Sequence, residues 1–511
     1  MAAVTTEEKQ VGVSGFALFL PPFRVLLEEW CSWTGSSWEK VRNNVGHAFR
    51  VAGPADSVYT LAATAALRLI QKYEINPEEV GFIGFGTESS TDNSAGAVIV
   101  RGMLDDALTA MGKPPISREC EVPEYKHACL GGVYALKGAL RYAATDGAGR
   151  KAIVVSADLA EYERGSTGEQ TQGAGAVAML VEQNPTLFTV DIANWAGASA
   201  YRGVDFRKPV RRLLSAELAS NMARLPDYPV FNGKYSTLCY TDQTIFALAH
   251  MIRKLGTDVR RLFHEMEGAF FHRPFHSLPM SVMASLYVWG LTQGQDEAHQ
   301  EEFRTLCEEA NADAERAVFE ANSSPDFFKG ALGGQINRDM YPESSRLVRY
   351  FKKTHKFKSV LHRKMHLGVE AMMNLGNLYT ASLPAWIAAG LDEAFHAGTE
   401  LDGRKFLTIG YGSGDAAEAM IIRVVPGWKD AAARIGFEEA LKGAVDLNRE
   451  EYEALHDGLS GPCPAVTPSF QFVVDSIGNH SNGYQDLGIE YYRFVPESDD
   501  SDDAVGAQQA G

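Results

Sequence analysis

Three side chains of complementary chemistry stand at the edges of apolar segments. Cys129 lies in His127-Ala-Cys-Leu-Gly-Gly, at the head of an apolar run of helical spacing. Glu88 follows a short strand-like run, in Gly86-Thr-Glu-Ser-Ser-Thr, and His272 ends another, Glu267-Gly-Ala-Phe-Phe-His. A thiol at a helix N-terminus meets unpaired N–H groups and the positive end of the macrodipole, which favour thiolate. Nucleophile, carboxylate and imidazole together are the parts of an acyl-transfer site. Each also has a plainer reading on position alone. A cysteine is often a small core residue, a glutamate can solvate a turn, and a histidine can be a hydrogen-bonded core group. His362 and His366 have the i, i+4 spacing of a metal pair, but Arg363 and Lys364 between them and the lack of a third ligand favour a plain helix face, so no metal is expected. Neither Gly84-Phe-Gly nor Tyr411-Gly-Ser-Gly matches a phosphate loop or a dinucleotide fingerprint.

These residues need elements to hold them. Val11–Leu20 and Gly81–Gly86 read as buried strands, Cys129–Ala144 as a buried helix, and Lys151–Ser156 and Gly175–Val181 as strands. A second set follows: a strand at Glu267–His272, an apolar helix over Asn377–Phe395, and strands at Gly403–Gly410 and Ala419–Val425. Two copies of a strand–helix–strand–strand unit predict a duplicated α/β fold, each half with its own sheet. Residues 1–10 are an N-terminal extension, 11–205 the first half with Glu88 and Cys129, and 206–495 the second half with His272 and a charged helical insertion at about 296–358. Residues 496–511 lack large apolar side chains other than Val505 and read as a disordered acidic tail.

The 511 residues carry 48 Lys plus Arg against 65 Asp plus Glu, a net −17, which argues against a general nucleic-acid or anionic-membrane binder. At 45% hydrophobic and 22% charged, the composition is that of a globular protein. Six cysteines without a Cys-x-x-Cys pair suggest neither a disulfide framework nor a zinc ribbon and point to a reducing compartment. The first ten residues lack the basic region of a signal peptide, and Val11–Leu20 is too short to span a bilayer, so the expected location is cytoplasmic.

Gly86-Thr-Glu88-Ser, Ala128-Cys-Leu-Gly-Gly, Phe271-His272-Arg-Pro-Phe, Gly376-Asn377-Leu-Tyr-Thr and Tyr411-Gly-Ser413-Gly, in this order, resemble the hydroxymethylglutaryl-CoA synthase family of the thiolase-like superfamily. The likeness runs from about Val11 to Val495 and includes Pro21-Pro-Phe, Thr171-Gln-Gly-Ala-Gly and Tyr228-Pro-Val-Phe-Asn-Gly. It implies thiolase-like α/β/α/β/α layering and condensation of acetyl-CoA with acetoacetyl-CoA through an acetyl-cysteine, feeding the mevalonate route to isoprenoids. Cys129 would be the acylated nucleophile, Glu88 the acid/base, and His272 the acceptor-binding imidazole. Asn377 and Ser413 would finish the site, with Asp158, Tyr162, Thr171 and Asp205 lining or supporting it. No cofactor beyond the CoA thioester substrates is implied, and the superfamily's pairing implies a homodimer.

Several positions depart from the family pattern. His127 and Leu130 replace common neighbours of the cysteine, and 41 residues separate Glu88 from Cys129, which predicts an extended intervening loop. An extra helical-looking segment begins at Val210 and fills the 210–227 region. Ser277 stands where the family often has a CoA-contacting lysine, leaving Arg273, or Arg211 and Arg212, to supply the charge. These departures motivate a second reading, in which the β-ketoacyl acceptor rides on an acyl carrier protein, as in polyketide β-branching. A third, non-catalytic thiolase-fold subunit is opposed by retention of Cys, Glu and His together.

Overall fold

The computed structural model describes residues 10–147, 149–208, 228–230, 232–294, 296–458, 462–480 and 485–497. The 210–227 segment, with Arg211 and Arg212, lies outside them, as do residues 1–9 and the tail from 498.

The first half places β1 (Val11–Phe19), α1 (Val58–Lys72), β2 (Val80–Gly86), α2 (Gly96–Ala110), the short β3 (Glu124–Tyr125), α3 (Gly131–Ala144), β4 (Lys151–Ala160) and β5 (Gly173–Gln183) in chain order. Its long strands read as unbroken apolar runs rather than alternating ones because both faces are covered. After β6 (Phe188–Val190) and β7 (Ala196–Ser199) come α4 (Gly233–Leu255), β8 (Gly268–Phe271), α5 (Ser277–Gln293), α6 (Glu297–Ala310), α7 (Pro342–Phe351), α8 (Ser382–His396), β9 (Lys405–Gly412) and β10 (Ala416–Val424). The duplication is visible in the pairing. In one half β2 runs parallel to β4, which is antiparallel to β5; in the other β8 runs parallel to β9, which is antiparallel to β10.

The two sets of strands do not stay apart, as sequence repetition alone implies. β6 pairs antiparallel with both β1 and β10, giving one ten-stranded sheet in the order β8-β9-β10-β6-β1-β5-β4-β2-β3, with β7 on β10. The 296–358 region is helical, and its α7 packs on α5, where Phe351 stacks on Tyr287 at 5.1 Å between ring centroids. A C-terminal hairpin, β11 (Gln471–Ile477) with β12 (Glu490–Val495), lies against α1 and α2. No described helix is long and apolar enough to cross a membrane.

Three boundaries differ from expectation. The helix after Cys129 starts at Gly131, leaving the thiol in the preceding turn, and the second-half helix starts at Ser382, leaving Asn377 in a loop. Between Glu88 and Cys129 the chain is not one extended loop: it forms α2 and returns through β3. Apolar spacing continues past a helix end whenever the flanking turn is also buried, so periodicity overruns both starts.

Candidate active site

Close backbone approach brings the separated motifs together. A Cβ on Gly86 would lie 2.4 Å from Gly132 N, so only glycine lets the end of β2 meet the first turn of α3, and this sets Glu88 beside Cys129. A Cβ on Gly412 would lie 2.4 Å from His127 O and 2.7 Å from Leu130 Cβ, so the end of β9 docks on the same turn and brings Ser413 to it. Cys129 Sγ donates to Glu88 Oε2 at 3.6 Å. The residue before the thiol, Ala128, has φ of 42°, a left-handed conformation disfavoured for any residue with a Cβ. Phe206 at 42° and Tyr379 at 46° share it, and these two rings with Tyr162 form an edge-to-face aromatic cup around the sulfur.

The electrostatics of the thiol differ from the sequence expectation. Burial, then the Glu88 and Asp158 carboxylates, push Cys129 well above its ordinary value. Two nearby anions and desolvation outweigh the N–H groups of one helix end, so the resting group is a thiol hydrogen-bonded to a carboxylate. Attack therefore requires transfer of the thiol proton as the S–C bond forms, and Glu88 is placed to receive it.

Asp158 is buried and absent from the cavity wall. Its Oδ1 accepts Thr87 Oγ1, the N–H groups of Glu88 and Ser89, and Ser89 Oγ; its Oδ2 accepts Thr380 N and Thr380 Oγ1. One carboxylate thus ties the Glu88 loop of the first half to the Tyr379-Thr380 turn of the second. Asp158→Ala strands all these donors, and a loss of at least about 3 kcal/mol is expected. Chemical denaturation checks this, and a loss under about 1 kcal/mol would contradict the clamp.

Asp205 acts similarly on the other side. Its Oδ2 accepts Tyr411 Oη at 2.7 Å and Gly414 N at 3.3 Å, holding the turn that carries Ser413. Tyr162, Thr171, His272, Asn377 and Ser413 line one cavity with Cys129, of about 1170 Å³. Asn377 Oδ1 accepts Tyr379 N and Ser382 Oγ, which leaves Nδ2 as the atom able to donate into the cavity. His272 is buried at the end of β8, its carbonyl held by Tyr240 Oη at 2.7 Å. Burial lowers its pKa to about 3, so it works as a neutral imidazole.

Arg273 does not supply a surface charge: it is buried, 5.3 Å over the Trp386 ring, and donates to Val369 O. Asp205, Cys239 and Asp415 place ligand atoms within 4.8 Å of one another. Tyr411 Oη and Gln243 Nε2 donate to the two carboxylates and the Arg202 guanidinium stands 3.7 Å from Asp415, so hydrogen bonds and one cation already serve this cluster. The residue types flagged in the sequence missed Phe206, Tyr379 and Thr380. Tyr379 and Thr380 sit inside the Gly376-Asn-Leu-Tyr-Thr motif, where a neighbour's role could have been sought; nothing marks Phe206.

A duplicated α/β core, with a buried cysteine beside a carboxylate at the start of its first central helix and an imidazole and amide from the second repeat, defines a thiolase-like acyl-transferring enzyme. Residues 7–186 match the family described as hydroxymethylglutaryl-coenzyme A synthase N terminal. The hydroxymethylglutaryl-CoA synthase of Haloferax volcanii is 26% identical over 428 residues, covering 83% of this chain and 85% of the relative. The cytoplasmic enzyme of Gallus gallus is 26% identical over 451 residues, covering 86% and 76%. Among solved structures, MvaS in complex with 3-hydroxy-3-methylglutaryl coenzyme A is similar with a TM-score of 0.73 at 25% identity, covering 95% of this chain and 99% of that one. The curacin-pathway HMG synthase in complex with apo donor-ACP shares the fold, with a TM-score of 0.67 at 18% identity over 95% of this chain and all of that one. Over most of its length the chain is similar to hydroxymethylglutaryl-CoA synthases in sequence and in fold.

Proposed function

We propose that the protein condenses acetyl-CoA with acetoacetyl-CoA to give 3-hydroxy-3-methylglutaryl-CoA, for the mevalonate route to isoprenoids. The observation that carries this reading is the 3.6 Å contact of Glu88 with Cys129, whose thiol lines one cavity with His272 and Asn377. Cys129 Sγ forms a bond to the acetyl carbonyl carbon as its proton passes to Glu88, and CoA leaves as the thiol. Glu88, returned to carboxylate, takes a proton from the acetyl methyl. The N–H groups of Cys129 and Ser413 hold the resulting enolate oxygen. The enolate carbon bonds to the ketone carbon of the acceptor, whose oxygen is held by His272 and Asn377 and gains the proton that Glu88 took from the methyl. Water then cleaves the thioester, releasing the product and the thiol.

Incubation with both thioesters and mass identification of the product tests this reading; no C6 product would reject it. The second reading, an acceptor on an acyl carrier protein, is favoured by Ser277 at the start of α5, where the resemblance calls for a lysine. Replacing acetoacetyl-CoA by the carrier-bound β-ketoacyl group separates the two. A cytoplasmic homodimer is part of the proposal, supported by the thiolase-like fold. Light scattering at twice the 55.8 kDa chain mass is the expected result, and a single-chain mass would reject the dimer.

Because His272 stays neutral, acceptor kcat/KM should show no inflection near pH 6.5 from this group. A break near 6.5 that disappears in His272→Asn would contradict it. On stability the sign is fixed: the unfolded chain protonates His272 first, so this group removes stability as pH falls from about 6.5 toward about 3.

A further inference from the structure

The turn that carries Ser413 rests on a buried cation. Arg202 follows β7 and is buried, and neither it nor Asp415 lines the cavity. Its backbone N–H donates to Gly414 O at 2.7 Å, and Ala200 and Asp415 exchange backbone bonds of 3.0 and 2.8 Å. Residues 200–202 thus continue the pairing of β7 with β10 along the turn. The guanidinium then reaches two acids. Nη2 donates to Asp242 Oδ2 at 2.6 Å, and Nε stands 3.7 Å from Asp415 Oδ1. The Phe327 ring covers the guanidinium at 4.4 Å, and Tyr341 Oη donates to Asp242 Oδ1 at 3.1 Å, so the 296–358 region closes over the ion pair.

Three buried carboxylates meet here. Asp205 and Asp415 both accept from Tyr411 Oη, at 2.7 and 3.5 Å, and Asp242 and Asp415 share Arg202. Among the described residues, Arg202 is the only cation within ion-pair distance of any of the three. Gln243 Nε2 donates to Asp415 Oδ1 at 2.9 Å and Gly414 N to Asp205 Oδ2 at 3.3 Å. These neutral donors orient the carboxylates but carry no full charge to set against theirs. Removing one partner of a buried ion pair leaves an uncompensated charge, and the anion responds by moving or by taking up a proton. Either response reaches Ser413, because Asp205 holds the N–H of Gly414 and Asp415 is two residues along the same turn.

We propose that Arg202 is a positioning residue for the reaction: by balancing Asp242 and Asp415 it fixes the Ser413-Gly414-Asp415 turn, and with it the direction of the Ser413 N–H. This rests on the condensation proposed above, in which that N–H holds the enolate oxygen, and adds the group that keeps it in place.

Arg202→Gln and the charge-compensated pair Arg202→Gln/Asp242→Asn test it, by steady-state kinetics and by hydrogen–deuterium exchange on the full chain. Arg202→Gln should lower kcat roughly 10- to 100-fold, short of the outright loss of an oxyanion donor, with KM for acetyl-CoA within about twofold. Backbone exchange over residues 411–416 should quicken about tenfold, while 86–90 around Glu88 keeps the wild-type rate. The pair removes one anion together with the cation. It should restore most of kcat and the slow exchange of the turn, which a loss of packing alone would not allow, and it keeps the test readable if Arg202→Gln does not fold. Unchanged exchange over 411–416 in Arg202→Gln, a loss confined to KM, or a pair no better than the single variant would overturn the assignment. Exchange needs no turnover. A loosened turn in a protein that makes no C6 product would reject the condensation and leave Arg202 as the group that holds the turn; a rigid turn with normal condensation would remove Arg202 alone.

Discussion

Cys129→Ser should retain no acetyl group on its 129 peptide after incubation with labelled acetyl-CoA, and condensation should fall roughly 10³-fold or more. The thiol already stands above its ordinary value because burial and two carboxylates oppose its anion. A serine hydroxyl starts several units higher still, so the 3.6 Å contact with Glu88 that suffices for a thiol cannot deprotonate it. The surrounding cup accepts the smaller oxygen without a clash, so the variant should fold, and an unchanged melting temperature separates lost chemistry from lost structure. Stable label on Ser at 129, or undiminished condensation, would remove the nucleophile assignment.

Glu88→Gln should behave differently. Its charge is the second cause, after burial, of the raised Cys129 pKa, so neutralising it makes thiolate easier to form, which offsets the lost proton acceptor, and acetylation should persist at a reduced rate. What disappears is the base that draws a proton from the acetyl methyl, and condensation should fall on the order of 10²–10⁴-fold. Accumulation of acetyl-enzyme by intact mass, with no condensed product, is the expected signature. Failure to acetylate would show instead that proton removal from the thiol cannot proceed without this carboxylate, making Glu88 essential to the first step as well.

Much of this site was legible because each part sits at the end of a strongly apolar element. β2, β8 and β9 are buried and start or stop at a glycine, and Glu88, His272 and Ser413 follow at their ends. The parts that escaped depend on contacts between distant segments. Nothing in His127-Ala-Cys shows that Ala128 takes a left-handed turn, because that conformation is imposed by the packing of β9 on the loop. The direction of the Cys129 shift could not be inferred from a helix N-terminus, because the opposing carboxylates arrive from β2 and β4. Arg273 reads in the sequence as one candidate for the charge of the missing lysine; its burial against Trp386 comes from a helix more than a hundred residues downstream. The resemblance has Asp158 lining or supporting the site, and its six donors put it in the second role, as a tie between the halves.

The three residues of β6 have a bearing on how substrate reaches the sulfur. Phe188 and Thr189 pair with Val13 and Gly12 on one side and with Val424 and Arg423 on the other. A Cβ on Gly12 would lie 2.0 Å from Phe188 O, so the seam is closed at backbone distance. The halves therefore cannot swing apart to admit a thioester, as two-domain enzymes do by hinge opening, without breaking a ladder in the middle of the sheet. Cys129 belongs to one half and His272 to the other, yet their spacing is set by a rigid frame. Motion that admits substrate is expected instead in the segments that line the cavity, among them α4, α5 and α7. Turnover should therefore respond to crosslinks between those helices far more than to anything done at the sheet.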